Sequence, residues 1–427
     1  MTEQRMPGFD QAFARGMTSR RMSRRNLMKL GGATVGTLSL AQILAACGEG
    51  TSSVPGGDTS APGATMPDYG AEPGPTINFA NWPLYIDQAK DASGTKYNPT
   101  LDQFKEETGI TVNYNDEIND NAEFVSEILP QLQAGQNIER DIIVVTNGQW
   151  LTALQKNGYV YELDAARRPN FDANAADWAR DPFFDPGNKY GMCWQSGLTG
   201  IGYNTDLVLA PITKAADLMD STKCPPNSVG VLKGDAPDFA MITLGIDPKV
   251  STPEQWAEAA AWLTTLRDSE TFRTAYTQDY VDDLNAGNLS ATMGWSGDIL
   301  YYAIWEGYNY EFVLPEDGAL LWIDSMLIPV NATNPAGAYA LMDYYYRPEV
   351  AQTVTEWVLY MSPVPAVQAL IAQHGEDADD DLLRATAENP LLWPDEAILD
   401  QTSLGVNLQT DEEIAEFSSI FDPIWEG

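Results

Sequence analysis

The chain has 427 residues, and its 61 Asp and Glu residues outnumber 24 Lys and Arg residues, which gives a formal net charge of −37. A body this acidic repels the phosphates of nucleic acids and anionic lipid surfaces, so both are excluded as partners, whereas a cationic ligand is attracted. The length beyond a leader and a linker is sufficient for two domains, each with an apolar core.

The first segment has the layout of an export signal. A twin-arginine pair, Arg24 and Arg25, precedes a weakly apolar stretch over 30–46, which is closed by LAAC at 44–47. This sequence resembles the lipobox of bacterial and archaeal lipoproteins. The resemblance implies a signal peptide over 1–46, a thioether-linked lipid on Cys47 and export in the folded state by the twin-arginine route. A transmembrane anchor is disfavoured, because 17 residues with three glycines are short for about 30 Å of hydrocarbon.

Residues 47–76 are rich in Gly, Ser, Thr and Pro and show no apolar periodicity, which predicts a flexible linker after the lipidated Cys47. Beyond it, β-branched runs alternate with stretches of helical periodicity. Strands are predicted at 77–82, 110–114, 141–146, 198–203, 228–232, 291–295 and 322–328, and helices at 100–108, 123–133, 149–157, 253–266, 336–346 and 348–359. This order predicts an α/β fold with a mainly parallel sheet, arranged as two lobes around a cleft.

Few residues are candidates for catalysis or metal binding. The single histidine, His374, lies in a polar stretch that is interpreted as an exposed loop, a poor position for a catalytic base. Acidic residues over 377–388 match several positions of an EF-hand loop but lack its glycine, and the tyrosines at 344–346 fall inside a helical pattern that favours packing over iron binding. Cys193 and Cys224 could form a disulfide or stay free. The sequence therefore predicts no enzyme, no metal and no cofactor.

Four segments near loop–strand junctions instead carry aromatic residues, carboxylates or both. They are NWPLY at 81–85, KGDAPD at 233–238, GWSG at 294–297 and WIDS at 322–325. A flexible organic polycation needs this combination: its methylenes pack on flat apolar faces, and its ammonium groups bind carboxylates and the π-faces of Trp or Tyr. A cation–π contact contributes roughly 0.5–2 kcal/mol, so several contacts together can reach micromolar affinity.

At these residues the chain resembles the spermidine/putrescine-binding proteins of ABC importers, the polyamine branch of the periplasmic binding protein superfamily. The likeness runs from about residue 77 to residue 427, and its landmarks occur in the family's order. They are NWPLYI at 81–86, FKEETGITVNY at 104–114, DIIVV at 141–145, GLTGIGYN at 197–204, GVLKGDAPDF at 230–239, MGWSG at 293–297, LWIDSMLIP at 321–329, YRPEVAQTVTEWVLYMSPVP at 346–365 and LLWPD at 391–395.

The resemblance implies a set of ligand-binding residues, carried over position by position. They are Trp82, Tyr85, Trp150, Asp235, Asp238, Trp295, Trp322, Asp324 and Tyr360. Asp238 stands where better-known members have glutamate, and Trp150 where the family more often has tyrosine, so the pocket can differ in detail.

The resemblance also implies the type II arrangement of periplasmic binding proteins, with a ligand cleft between two lobes. Lobe 1 is expected over 77–199 and 323–365, and lobe 2 over 200–322 and 366–427. The implied function is capture of a polyamine outside the cytoplasm and delivery to the permease subunits of an ABC importer, with a lipid anchor in the membrane. Binding of another small ligand, and a lipoprotein that senses its ligand, remain the alternatives.

Overall fold

The computed structural model describes residues 67–91 and 93–425. Its strands in chain order are β1 (Thr76–Asn81), β2 (Ala89–Lys90), β3 (Lys96–Tyr97), β4 (Thr111–Asp116), β5 (Ile142–Thr146), β6 (Gly191–Asn204), β7 (Val229–Leu232), β8 (Phe272–Tyr276), β9 (Ala291–Trp295), β10 (Tyr310–Val313), β11 (Ala319–Leu327) and β12 (Thr402–Leu404). All strands predicted from the sequence have a counterpart among these.

The α-helices are α1 (Pro99–Thr108), α2 (Asn121–Gln133), α3 (Gln149–Lys156), α4 (Pro169–Asn174), α5 (Ala236–Thr243), α6 (Pro253–Arg267), α7 (Tyr280–Asn285), α8 (Ser296–Leu300), α9 (Pro335–Tyr344), α10 (Pro348–Val358), α11 (Val367–Ala378), α12 (Asp381–Glu388), α13 (Glu396–Leu399) and α14 (Asp411–Phe421). A single π-helical turn, Tyr301–Trp305, extends α8. Every predicted helix is present, and α4, α5, α7, α8 and α11–α14 are additional.

One large mixed sheet runs through the molecule in the order β4-β1-β5-β11-β6-β9-β7-β8, with β10 on β6 and β12 on β11. Strands β4, β1 and β5 are parallel at one end of the sheet, and β9, β7 and β8 are parallel at the other. We call the parts built on these two parallel groups the first half and the second half. The α/β class predicted from the sequence is confirmed.

Two long antiparallel strands, β6 and β11, join the halves. Strand β11 pairs with β5 of the first half from Asp324 to Leu327, while β6 pairs with β9 of the second half from Thr199 to Tyr203. Gly197 and Trp322 lie opposite each other between these two stretches. The chain therefore crosses between the halves at this pair of residues.

The continuous apolar run of β5 is explained by burial on both faces of the sheet. Ile142 and Val144 pack into one apolar cluster with Ile77 and Phe79, while Ile143 and Val145 pack into the cluster on the other face. Successive side chains of a strand point to opposite faces, so a strand that is covered on both sides needs apolar residues at every position.

The structure corrects the interpretation of His374. The residue lies in α11, not in an exposed loop, and its Nδ1 is 2.8 Å from Oε1 of Glu356 on α10. The polar composition of this stretch misled the sequence analysis, because the helix buries only a narrow stripe that includes Val367, Ile371 and Gly375.

The end of the expected linker is also corrected. Tyr69 is only 7% exposed, its ring lies 4.6 Å from that of Tyr339, and its hydroxyl donates to the Glu162 carbonyl at 2.8 Å. Further along, the Gly74 N–H donates to Asn334 Oδ1. Residues 69 and 74, which the sequence analysis placed in the linker, are therefore docked on the folded body by contacts that lie far away in the chain.

Helices α11 and α12 pack against the first half. Val367, Ile371 and Leu383 belong to the apolar cluster that contains Ile77 of β1. Gln352 of α10 also donates to a carbonyl of α11. The predicted lobe boundaries stay a prediction, and this packing favours a first lobe that extends to about residue 388.

Other expectations concern cysteines, metals and the membrane. Cys193 and Cys224 are buried and do not form a disulfide. In the described ranges, no group of three or more His, Cys, Asp or Glu residues could hold a metal ion, and no helix is long and apolar enough to cross a bilayer. The twin-arginine pair and Cys47 lie outside the described residues.

Candidate functional site

Asp324 occupies the centre of the site, at the point where β11 crosses between the halves. Its side chain is buried, and both carboxylate oxygens accept hydrogen bonds: Thr146 Oγ1 donates to Oδ1 at 2.6 Å and the Tyr85 hydroxyl donates to Oδ2 at 2.8 Å. Loss of solvent on burial raises the pKa of Asp324 to about 6, although these two hydrogen bonds lower it. Near neutral pH the site therefore holds a buried anion that is bonded only to neutral groups of the protein.

Aromatic rings surround this carboxylate. The Tyr85 ring meets the Tyr360 ring edge-on at 5.4 Å, and the Trp322 ring lies 5.4 Å from Tyr360 on the other side. Trp322 is 8% exposed, yet its indole N–H has no hydrogen-bond partner among the described residues. A buried donor without an acceptor costs free energy, and the described residues supply no acceptor for this one.

Two glycines allow the rings to approach the backbone. A Cβ at Gly197 would lie 2.4 Å from Cζ2 of Trp322, and a Cβ at Gly297 would lie 2.5 Å from Cζ of Tyr360. Any side chain at either position would displace the aromatic ring that covers it. The glycines therefore fix where the aromatic wall lies.

Gly197→Ala should displace Trp322 and destabilise the protein by about 1–3 kcal/mol, the usual cost of overpacking. Thermal unfolding and the tryptophan emission spectrum measure the two effects. Gly234→Ala is the matched control, because nothing lies within 4 Å of a Cβ at Gly234. Equal melting temperatures for both variants would contradict this account of the wall.

The second half contributes Asp235 and Trp295. Asp235 Oδ2 accepts hydrogen bonds from the Trp295 indole N–H at 2.8 Å and from the Thr199 hydroxyl. Burial is the main cause of the raised pKa of Asp235, and the charge of Asp120 raises it further. The carboxylate thus lies beside an indole ring and faces an acidic group of the first half.

Asp120 and Asp298 are two site carboxylates that the sequence analysis missed. Asp120 is the N-cap of α2, where it accepts a hydrogen bond from the Glu123 N–H at 2.9 Å. Asp298 accepts from the Tyr360 and Tyr280 hydroxyls, each at 3.0 Å. The signal for Asp298 was its position three residues after Trp295, on the first turn of the helix that follows the strand, whereas Asp120 carried no local signal.

Asp238 and Trp150 have surroundings that differ from those expected of ligand-binding residues. Asp238 Oδ1 accepts a hydrogen bond from the Val406 N–H at 2.9 Å, and a Cβ at Gly405 would lie 2.5 Å from Oδ2. Burial, followed by the charge of Asp235, raises the pKa of Asp238 to about 7. Trp150 lies in the first turn of α3 and packs in the apolar core. Their roles as ligand residues remain predictions.

Trp82 and Trp295 are half-buried and lie where the two apolar clusters of the molecule meet, since each packs against both. The indole N–H of Trp82, like that of Trp322, has no partner in the described part of the chain. Trp82, which follows β1 of the first half, and Trp295, at the end of β9 of the second half, therefore both pack against the apolar cluster that contains Tyr85, Trp322 and Tyr360.

The charge balance of the site is one-sided. The charged groups that shift the pKa values of Asp235, Asp238 and Asp324 are all other carboxylates. Buried carboxylates normally pair with a cation, because an unpaired buried charge is costly. Aromatic faces beside carboxylates that no cation of the described residues neutralises are chemically suited to an organic cation.

Two α/β halves joined by two long strands, with a site at the crossing, define a two-lobed periplasmic solute-binding fold. The chain belongs to the family of bacterial extracellular solute-binding proteins, whose model matches residues 100–385. Members of this class bind and release a solute, and the protein is accordingly not an enzyme.

Similar proteins extend this result. The chain is 28% identical over 343 residues to the putrescine-binding periplasmic protein PotF of Escherichia coli, covering 75% of this chain and 83% of that protein. It is also 28% identical over 320 residues to the spermidine/putrescine-binding periplasmic protein of Escherichia coli, with 73% and 84% covered.

Solved structures show the same fold. The spermidine/putrescine ABC transporter substrate-binding protein PotD of Streptococcus pneumoniae superposes with a TM-score of 0.65 at 22% identity, covering 82% of this chain and 98% of that one. The Tp0655 lipoprotein of Treponema pallidum superposes with a TM-score of 0.64 at 15% identity, with 82% and 100% covered. The two-lobed fold implied by the sequence resemblance is thereby confirmed.

Proposed function

We propose that the protein is an extracytoplasmic lipoprotein that captures a polyamine of the putrescine or spermidine type between its two lobes. It then delivers this solute to the permease of an ABC importer. The relatives support the ligand class, since their names describe proteins that bind putrescine or spermidine. Support for the transport role comes from the family of extracellular solute-binding proteins.

The single observation that carries the proposal is the buried Asp324 carboxylate, which lies among aromatic rings and has no cation of the described residues among the groups that shift its pKa. An ammonium group of a polyamine would supply the missing charge. The methylene chain would pack on Trp82, Trp322 and Trp295, and the distal ammonium would bind a carboxylate of the second half, such as Asp235. Closure of the lobes would let both halves contact one ligand.

A thermal-shift and calorimetry screen tests the ligand class. Putrescine, cadaverine, spermidine and spermine are compared with 1-butylamine, which has one charge, and with 1,4-butanediol, which has none. At least one polyamine should raise the melting temperature by mass action and bind far more tightly than both controls. If no polyamine shifts stability at about 1 mM, or if 1,4-butanediol binds equally well, the polyamine proposal fails.

The anchor is tested separately at Cys47. Cys47→Ser should remove the acceptor of the lipid, so the protein should leave the membrane fraction or accumulate as an unprocessed precursor. Fractionation and metabolic labelling with a fatty acid measure this change. Cys224→Ser, at a buried cysteine of the folded body, should keep the label. Label that is still incorporated into the Cys47→Ser protein would disprove the lipobox assignment.

A further inference from the structure

A short hydrogen-bond chain connects α2 to Asp324. The Asn121 side-chain amide donates to Thr146 Oγ1 at 2.9 Å, and the Thr146 hydroxyl donates to Asp324 Oδ1 at 2.6 Å. In addition, the Thr146 backbone N–H donates to Asn121 Oδ1 at 3.2 Å. Asn121 and Thr146 thus form a two-point contact that ends on the central carboxylate.

The hydrogen-bond chain from Asn121 to Asp324 has a fixed direction. Because Asn121 Oδ1 accepts from a backbone N–H, the amide group must turn its NH₂ toward Thr146 Oγ1. This donor occupies a lone pair of the threonine hydroxyl, which has a single hydrogen of its own. That hydrogen is therefore directed to Asp324 Oδ1 and to no other acceptor.

We propose that Asn121 is a positioning residue for cation binding, which acts on Asp324 through the Thr146 hydroxyl and does not itself contact the ligand. The bond from Thr146 fixes one oxygen of Asp324 and the plane of the carboxylate, while Tyr85 fixes the other oxygen. The remaining lone pairs are thereby presented in one orientation to an ammonium group. This inference rests on the proposed amine-binding function.

A purely structural role for Asn121 at the start of α2 is the alternative. The helix already has an N-cap, since the Asp120 side chain accepts the Glu123 N–H. The Asn121 side chain makes its two hydrogen bonds to Thr146 instead of capping its own helix. The contact is therefore directed at the site.

The groups that face Asp324 allow its titration to be used as a readout. They are Tyr85, Tyr360, Cys193 and Asp235, so its surroundings are neutral or acidic at neutral pH. In such surroundings the donors on its oxygens are the main groups that favour the charged form. Loss of the Thr146 donor must then raise the titration midpoint.

The experiment combines two readouts on the full protein. Carbon-13 NMR follows the Asp324 carboxyl titration without ligand, and calorimetry measures putrescine and spermidine binding at pH 7. Thr146→Val should raise the midpoint by about one pH unit and weaken binding about tenfold, whereas Thr146→Ser should restore both. Asn121→Ala should shift both in the same direction by a smaller amount.

The double variant decides between positioning and structure. If Asn121 acts through Thr146, Asn121→Ala should change neither the midpoint nor the affinity further in the Thr146→Val background. Asn113→Ala, which removes an exposed contact to Asn78, is the control and should change neither. Additive effects, or an Asn121→Ala variant that behaves like the control, would overturn the inference. A wild-type protein that binds no amine would refute the proposed function, while the NMR titration would still test the Asn121–Thr146 contact.

Discussion

Asp324→Asn should weaken binding of putrescine or spermidine by about 2–4 kcal/mol, the largest effect expected of any single substitution. The substitution nearly preserves shape but removes the charge that neutralises a buried ammonium. It also replaces one accepting oxygen by an NH₂ group that faces the Thr146 or Tyr85 hydroxyl donor. Isothermal titration calorimetry at constant pH and salt measures the loss.

The control for this substitution is Asp102→Asn, at an exposed position of α1. It removes the same charge from the protein, so it should alter mainly the salt dependence of binding. The Asp324→Asn protein should keep its circular dichroism spectrum and unfold cooperatively. If Asp102→Asn weakens binding as much as Asp324→Asn does, the general negative potential binds the ligand and the site assignment is wrong.

Affinity for a polyamine should fall about 1000-fold between pH 8 and pH 5, about tenfold of it through Asp324 and about 100-fold through Asp238 if both carboxylates pair with the ligand. Burial raises the pKa of Asp324 to about 6 and that of Asp238 to about 7. Below these values a carboxyl must release its proton before it can pair with an ammonium group, which costs about tenfold in affinity per pH unit for each carboxyl. Calorimetry across this range measures the slope, and Asp324→Asn should flatten it.

The stability of the ligand-free protein should change in the opposite direction. The pKa of Asp324 in the folded state is above that of an unfolded aspartate, so the folded protein binds the proton more tightly. This contribution to stability therefore increases as the pH falls through about 6 toward 4, and it is lost above that range. The increase in melting temperature caused by a polyamine should be largest near pH 8. Affinity that is constant from pH 8 to pH 5 would contradict the role of these carboxylates.

Seven of the twelve strands and six of the fourteen α-helices that the structure describes could be predicted from local sequence, because their apolar pattern matches their burial. The run DIIVVT predicted β5, and its residues are buried on alternate faces of the sheet. The first residues of β6 were missed, because Gly191 to Gly197 contains glycines and polar residues with no alternation. Those residues lie in the centre of the sheet, where long-range pairing with β11 decides the conformation.

The candidate site could be predicted only in part. The family resemblance selected Tyr85, Trp322, Asp324 and Tyr360, which the structure brings into one cluster. It could not reveal that Asp238 bonds to the Val406 backbone, because those residues are far apart in the chain. Asp120 was missed for the same reason, since its proximity to Asp235 depends on how the two halves approach.

A crystal structure of the protein grown with putrescine or spermidine tests the central claim most directly. We expect an ammonium nitrogen about 2.7–3.2 Å from a free lone pair of Asp324, with the methylene chain against Trp322 and both halves in contact with the ligand. An amine bound outside the boundary between the halves, or a site that stays empty of amine at saturating concentration, would contradict the account.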